Sequence, residues 1–146
     1  MVLNQDFKEF IQSLNDHNVR YLIIGGYAVA FHGHPRYTKD LDVWIELGQE
    51  NAANLLKALA HFGFGSLGLT EDDFLEPDQI VQLGFPPSRI DILTTLEGVD
   101  FDECFASKTI TAIDNIQMNF IDLENLKKNK KATGRLQDLA DLENLS

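Results

Sequence analysis

The chain has 146 residues, of which 44% are hydrophobic and 10% aromatic, so it can bury a core and does not have the composition of a disordered chain. Its formal net charge of −11 argues against a broad nucleic-acid surface, because phosphate binding draws on lysine and arginine. One cysteine cannot form an internal disulfide, and the longest mostly apolar stretch, residues 21–31, is too short to span a bilayer. These features predict a single cytoplasmic domain over residues 1–146 with no membrane partner.

Helices and strands alternate along the first part of the chain. Apolar residues at helical spacing predict the helices, and short apolar runs bounded by glycine or proline predict the strands. Asp6 is the expected N-cap of the first helix. The predicted order is helix 6–19, strand 20–26, helix 27–33, a loop 34–39, strand 41–47 and helix 48–64.

A glycine-rich, acidic connection through Pro77 leads to the second part of the chain. Two pairs of strands and a helical C-terminus that breaks near Thr133 and Gly134 are predicted there. The elements are strand 79–85, strand 89–96, a short helix 100–107, strands 108–114 and 116–122, and helices within 123–145. Because the alternation is irregular, we expect the α+β (mixed α/β) class, with one mixed sheet of five or six strands flanked by helices.

Two aspartates stand one residue apart in an otherwise apolar strand. Residues i and i+2 of a strand share a face, roughly 6–7 Å apart, so Asp40 and Asp42 lie on one side. Two carboxylates at that spacing repel each other and need a cation, a hydrogen-bond network or a shared proton. Two exposed acids at the end of a strand are the alternative.

A third carboxylate, Asp91, lies among the apolar residues Ile90, Ile92 and Leu93. If its strand lies beside the strand of Asp40 and Asp42, three acids converge. Hard oxygen ligands without cysteine suit Mg²⁺ or Mn²⁺ rather than Zn²⁺. The alternative is an acid on an edge strand that pairs with Arg89 or another base.

Gly25 and Gly26 follow a buried strand and precede a short helix. Glycines there let the backbone turn tightly and direct N–H groups at an anion. A purely structural strand-to-helix turn is the alternative.

Basic residues flank the aspartates in the sequence and recur near the C-terminus. Arg36, Thr38 and Lys39 come just before Asp40, where a guanidinium could neutralise a triphosphate or form a local salt bridge. Five of the 12 basic residues lie between Lys127 and Arg135. This basic cluster indicates either a local anion site or a solvated helix face.

Together, "GGYAVAFHGHPRYTKDLDVWI" and the later "RIDIL" resemble the DNA polymerase β-like nucleotidyltransferase superfamily. The segment "HGHPRYTKDLD" and the C-terminal "KKATGRLQDLADLENL" are similar to a minimal bacterial branch that includes AbiEii-type toxins. The resemblance covers about residues 6–145 and implies the nucleotidyltransferase fold.

The resemblance also implies an activity and a set of site residues. It implies transfer of a nucleoside monophosphate from an NTP to a hydroxyl of a protein or tRNA, with Mg²⁺ or Mn²⁺ and a cognate toxin or antitoxin partner. A non-catalytic, antitoxin-like module of the same fold, binding a nucleotide or a partner, is the alternative. The implied metal ligands and catalytic residues are Asp40, Asp42 and Asp91; the implied nucleotide-binding residues are Gly25, Gly26, Lys130 and Arg135, with Asp138 as a polar anchor between helices.

Overall fold

The computed structural model describes residues 3–33 and 38–145. Its helices are α1 Gln5–Asp16, α2 Gly25–Phe31, α3 Gln49–Leu59, α4 Phe101–Ala106, α5 Leu123–Thr133 and α6 Leu136–Asn144. Its strands are β1 Tyr21–Ile24, β2 Leu41–Ile45, β3 Ile80–Leu83, β4 Ile90–Leu93, β5 Thr109–Ile113 and β6 Ile116–Phe120. None of the helices in these two segments is long and apolar enough to cross a membrane.

The six strands form one mixed sheet in the order β3-β4-β2-β1-β6-β5. β2 runs antiparallel to β1 and parallel to β4, while β6 runs parallel to β1. The hairpins β3–β4 and β5–β6 are both antiparallel, as the short predicted connections require. The predicted α+β class, with a mixed sheet flanked by helices and a helical C-terminus, is confirmed.

Helix α1 packs on the sheet through its apolar stripe. Phe7, Phe10, Ile11 and Leu14 are all fully buried, as their helical spacing predicts. The N-cap is Asn4, whose side chain accepts a hydrogen bond from the Phe7 amide at 2.8 Å. The prediction of Asp6 as N-cap is therefore wrong, because the helix begins one residue before Asp6.

The helix predicted over residues 48–64 is shorter in the structure. Regular α-helix ends at Leu59, and a wider turn continues over Ala60–Phe64. Gly63 interrupts that turn with φ +119°, a backbone conformation that only glycine adopts without strain. The connection that follows contains two short 3-10 turns, and Phe74 anchors it as a fully buried side chain.

The two C-terminal helices meet at a glycine. Gly134 caps α5 in the left-handed conformation, with φ +65°, and its N–H donates to the Lys130 carbonyl at 3.2 Å. The chain therefore breaks where the sequence predicts it. The turn returns α6 against α5, which brings Lys130 close to side chains eight and eleven residues later.

Candidate active site

The sheet brings two of the predicted carboxylates side by side. Asp42 on β2 and Asp91 on β4 are register partners in the parallel pair. Register partners on adjacent strands lie about 4.8 Å apart and point to the same face of the sheet. Asp40 immediately precedes β2, two residues from Asp42. The expected convergence of the two strands is therefore present in the topology.

Arg89 lies between the carboxylates. Its Nε and Nη2 donate to the two carboxylate oxygens of Asp91, at 3.0 and 3.2 Å, in a bidentate pair. The same Nε lies 3.8 Å from an oxygen of Asp40. The alternative interpretation of Asp91, an acid on an edge strand that pairs with Arg89, predicts this ion pair. However, β4 is an interior strand and not an edge strand. A cation from the chain itself thus neutralises part of the acidic cluster.

Asp42 has a strongly raised pKa. Burial, together with the negative charges of Asp91 and Asp40, raises the pKa of Asp42 to about 7. The positive charges of Lys130 and Arg89 oppose this change only in part. A cation held close to Asp42 would reverse the shift, because it favours the ionised carboxylate.

Gly25 is required at its position by the carboxylate of Asp42. Gly25 has φ +67°, and a β-carbon built there would collide with Oδ2 of Asp42. Gly25 and Gly26 form the first turn of α2, whereas the sequence places the start of that helix at Tyr27. Gly26 is buried. Gly25 therefore lets the aspartate approach the backbone, which is a steric role that the sequence pattern does not reveal.

Replacing Gly25 with alanine is expected to destabilise the fold by at least about 2 kcal/mol, since the left-handed backbone and the collision both oppose it. Gly68→Ala is the matched control, because Gly68 has a similar φ of +74° and open space around it. Urea denaturation of both variants separates the collision from the backbone strain. Equal losses in the two variants would contradict the proposed contact.

A cleft of about 560 Å³ opens next to Asp42. This volume lies within the range typical of small-molecule sites. The cleft is bounded by the start of α2, the β2–β4–β3 side of the sheet and the turn between α5 and α6. Its lining residues are Ile24, Gly25, Asp42, Asp78, Gln79, Ile80, Leu93, Thr95, Leu96, Glu97, Asn129, Lys130, Thr133 and Arg135.

Lys130 is the buried cation of this cleft. Its ammonium lies 3.1 Å from Asp138 and 3.2 Å from Asp141, and only 7% of its side chain is exposed. Asp138 also accepts hydrogen bonds from Thr133 at 2.6 Å and from Arg135 at 2.7 Å. Burial alone would raise the pKa of Asp138, but these three donors together lower it to about 2. The arrangement ties α5 to α6 and faces the positive charge of Lys130 toward Asp42.

The remaining predicted residues lie elsewhere or outside the described part of the chain. Arg135 lines the cleft with an exposed side chain, 78% accessible. Thr38 accepts a hydrogen bond from the Tyr27 hydroxyl through its backbone carbonyl at 3.3 Å, and Lys39 is exposed. Neither Thr38 nor Lys39 lines the cleft. Arg36 lies outside the described residues.

The donor chemistry of the cluster suits a hard divalent cation, but the side chains are not gathered around one point. Carboxylate oxygens are the ligands that Mg²⁺ and Mn²⁺ prefer. Among residues 3–33 and 38–145, no group of three His, Cys, Asp or Glu side chains is arranged to hold a metal ion. Arg89 pairs with the carboxylate of Asp91 in this arrangement and would compete with a metal ion for it.

Replacing Arg89 with glutamine is therefore expected to tighten Mn²⁺ binding by about 10-fold, because a competing cation is removed from Asp91 and Asp40. Titration calorimetry with MnCl₂ measures the effect. Arg20→Gln is the control, since Arg20 pairs with Glu46 at 2.7 Å elsewhere on the surface. Unchanged or weaker Mn²⁺ binding in the Arg89 variant would show that the guanidinium does not compete with metal.

Comparisons with known proteins find similarity at the level of structure. A crystal structure from Thermotoga maritima, described provisionally as a nucleotidyltransferase, superposes with a TM-score of 0.63 at 14% sequence identity, over 94% of this chain and 88% of the other. This chain has the nucleotidyltransferase fold. An antigenic nucleotidyltransferase-like protein from Paracoccidioides brasiliensis superposes with a TM-score of 0.53 at 20% identity, over 98% of this chain and 77% of the other. No protein-family profile and no curated protein matches the sequence.

Within the nucleotidyltransferase fold, these similarities concern architecture alone, because both identities are low. They agree with the fold that the resemblance implies, and they do not single out the AbiEii-type branch. The roles of the aspartates, the metal and the cleft residues must be argued from the site itself.

Proposed function

We propose that the chain is a nucleotidyltransferase that binds an NTP in the cleft beside Asp42 and transfers its nucleoside monophosphate to a hydroxyl acceptor. One observation carries the proposal: Asp42, the register partner of Asp91, lines a cleft that Lys130 and Arg135 also line. Acids and cations around one cleft suit a site that positions a charged phosphate chain and neutralises it.

Each charged residue of the cleft has a distinct role in this proposal. Arg135, which is exposed at the mouth, contacts the outer phosphates. Lys130 is held in place by Asp138 and Asp141, so its ammonium is already ordered when the phosphates arrive. Asn129 fixes the wall between them, since its amide donates to the Glu97 carbonyl at 3.0 Å.

Asp40, Asp42 and Asp91 are the residues that would hold Mg²⁺ or Mn²⁺. A divalent ion bound there would polarise the phosphoryl oxygens and lower the pKa of the attacking hydroxyl. Asp91 is the ligand expected nearest the nucleophile. Arg89 pairs with Asp91, and lies 3.8 Å from Asp40, until nucleotide and cation arrive.

The acceptor and partner in the proposal derive from the resemblance. Transferases of this kind modify a hydroxyl of a protein or the 3′ end of tRNA. The net charge of −11 favours a protein acceptor over tRNA. The similarity to AbiEii-type toxins supports a cognate toxin or antitoxin as the binding partner.

Incubation of the protein with labelled NTPs, Mg²⁺ or Mn²⁺ and cell lysate tests the proposal. Label is expected to appear in a protein or in tRNA, and separate protease and ribonuclease digestion identifies which. Asp42→Asn is the inactive control, with Asp72→Asn as a matched exposed substitution. Transfer that is equal in wild type and the Asp42 variant would overturn the assignment.

A second candidate function is nucleotide binding without turnover, as in a non-catalytic module of the same fold. The bidentate pairing of Arg89 with Asp91 favours it, because that carboxylate is already satisfied. Titration calorimetry distinguishes the two functions. Binding of NTP with Mg²⁺ without pyrophosphate release in any lysate supports the module, and release of pyrophosphate excludes it.

A further inference from the structure

The face of the sheet that carries Asp42 continues in ordered rows of side chains. Gln82 and Asp42 both oppose Asp91, on β3 and β2 respectively, so these three residues form one row. Ile80 and Trp44 both oppose Leu93 and form the next row. Successive rows on one face are two residues apart, or roughly 7 Å.

A further row lies beyond the paired residues of β3 and β4. Asp78 and Thr95 are each two residues past the Ile80–Leu93 pair and hydrogen-bond to each other. This third row is therefore about 13 Å along the strands from the row of Asp42. Asp78, Ile80, Leu93 and Thr95 line the same cleft as Asp42.

Asp78 is held in an unusual and fixed position. Its φ is +60°, in the left-handed region that residues other than glycine seldom adopt. The Thr95 hydroxyl lies 3.1 Å from its backbone N–H and 2.9 Å from its Oδ1. A strained backbone that the surroundings hold in place is typical of a functional position. The carboxylate keeps acceptor capacity for a further donor in the cleft.

Ile80 gives the cleft an exposed apolar surface next to this acid. Its side chain is 60% exposed although it lies in a strand, and it adjoins the half-buried Leu93 and Leu96 of the cleft wall. A flat apolar group placed on Ile80 and Leu93 would remove this surface from water. The edge of that group would then lie toward Asp78.

We propose that Asp78, Ile80, Leu93 and Thr95 form the nucleobase subsite of the cleft. The base lies on the side chains of Ile80 and Leu93, and an N–H donor on its edge bonds to the Asp78 carboxylate. This inference rests on the proposed function, since it assumes that the bound anion is a nucleotide.

The charges of the cleft give the nucleotide one orientation. The charge of Lys130 acts on Asp42, and Arg135 interacts with Glu97 and with Asp42; these two cations attract the phosphates. Asp78 repels phosphate and accepts from N–H donors. In the proposed function a metal ion at Asp42 bridges to the phosphates, whereas a reversed orientation would put a phosphate against the Asp78 carboxylate without that ion.

Titration calorimetry with the four NTPs and with inorganic tripolyphosphate, all with Mg²⁺, tests the subsite. Asp78→Asn is expected to lower the affinity for the best-bound NTP by about 10-fold. Its affinity for tripolyphosphate should be unchanged, because only the base contacts Asp78. Asparagine tolerates the left-handed backbone, so the loop is preserved. Ile80→Ser is expected to weaken the same NTP by at least about 5-fold.

Matched controls are Asp72→Asn and Leu67→Ser, which change an exposed acid and an exposed leucine away from the cleft. The subsite alone would be overturned if the Asp78 and Ile80 variants both bound NTP as tightly as wild type does. It would also be overturned if wild type bound NTP no more tightly than tripolyphosphate. Failure of wild type to bind any of the five ligands would overturn both the subsite and the proposed function.

Discussion

Asparagine in place of Asp42 is expected to raise the free energy of unfolding of the metal-free protein at pH 8 by up to about 4 kcal/mol, and to lower the proposed nucleotidyl transfer at least about 100-fold. The pKa of Asp42 is raised from 3.8 to about 7 in the fold. Unfolded chains ionise this group near pH 4, so the native state binds more protons between pH 4 and 7. Stability therefore falls as pH rises through that window and stays low above it.

Urea denaturation at pH 5 and pH 8 without metal measures the difference. The gain for the Asp42 variant should be about 1.6 kcal/mol at pH 5 and full at pH 8, and Asp72→Asn should show no such slope. Mg²⁺ should stabilise wild type at pH 8 more than the variant, because only wild type offers the ionised carboxylate. A loss of stability in the variant at pH 8 would show that Asp42 is satisfied in the fold without a cation.

Methionine in place of Lys130 is expected to destabilise the protein by about 3–5 kcal/mol, since the buried Asp141 would lose the ammonium that pairs with it and Asp138 would keep its ion pair with the exposed Arg135. Asp138 and Asp141 are 3% and 1% exposed, so water cannot replace the lost ammonium. Lys131→Met is the matched control on the next residue, which is exposed. Urea denaturation at pH 7 measures both variants.

Acid unfolding gives a second readout of the same cluster. Because the pKa of Asp138 is lowered to about 2, the wild-type cluster contributes stability that is present above about pH 4 and is lost as pH falls toward 2. The Lys130 variant should lose part of this slope, and Lys131→Met should keep it. Equal stability of the two variants at pH 7 would refute the role of Lys130 in joining α5 to α6.

The order of elements follows from the sequence, but the boundaries depend on tertiary contacts. Apolar periodicity predicts the buried stripe of α1 and the short strands, because burial on one face imposes that spacing. The end of α3 is different, since Gly63 breaks a pattern that would otherwise continue as helix. The start of α2 at Gly25 is set by the approach of Asp42 from another strand, which no local pattern contains.

Part of the candidate site can also be predicted from the sequence, because the spacing of residues in a strand determines which side chains share a face. A D-x-D pair in an apolar strand marks one face, and the parallel register then places Asp91 beside it. The pairing of Lys130 with Asp141 and the position of Asp78 are not predicted, because they depend on how α6 returns and how β3 aligns. Two acids at i and i+3 in α6, eight and eleven residues after a lysine, are the only local signal of that ion cluster.

The contact between Gly25 and Asp42 has an evolutionary consequence. A β-carbon at position 25 and a carboxylate at position 42 collide, so position 42 can change alone but position 25 gains a side chain only at a steric cost while Asp42 remains. A lineage that loses the carboxylate, for example by Asp42→Gly, loses that collision and keeps the left-handed backbone, which still favours glycine, asparagine or aspartate. Asparagine or aspartate at position 25 should therefore occur in relatives that lack the carboxylate, and glycine in those that retain it.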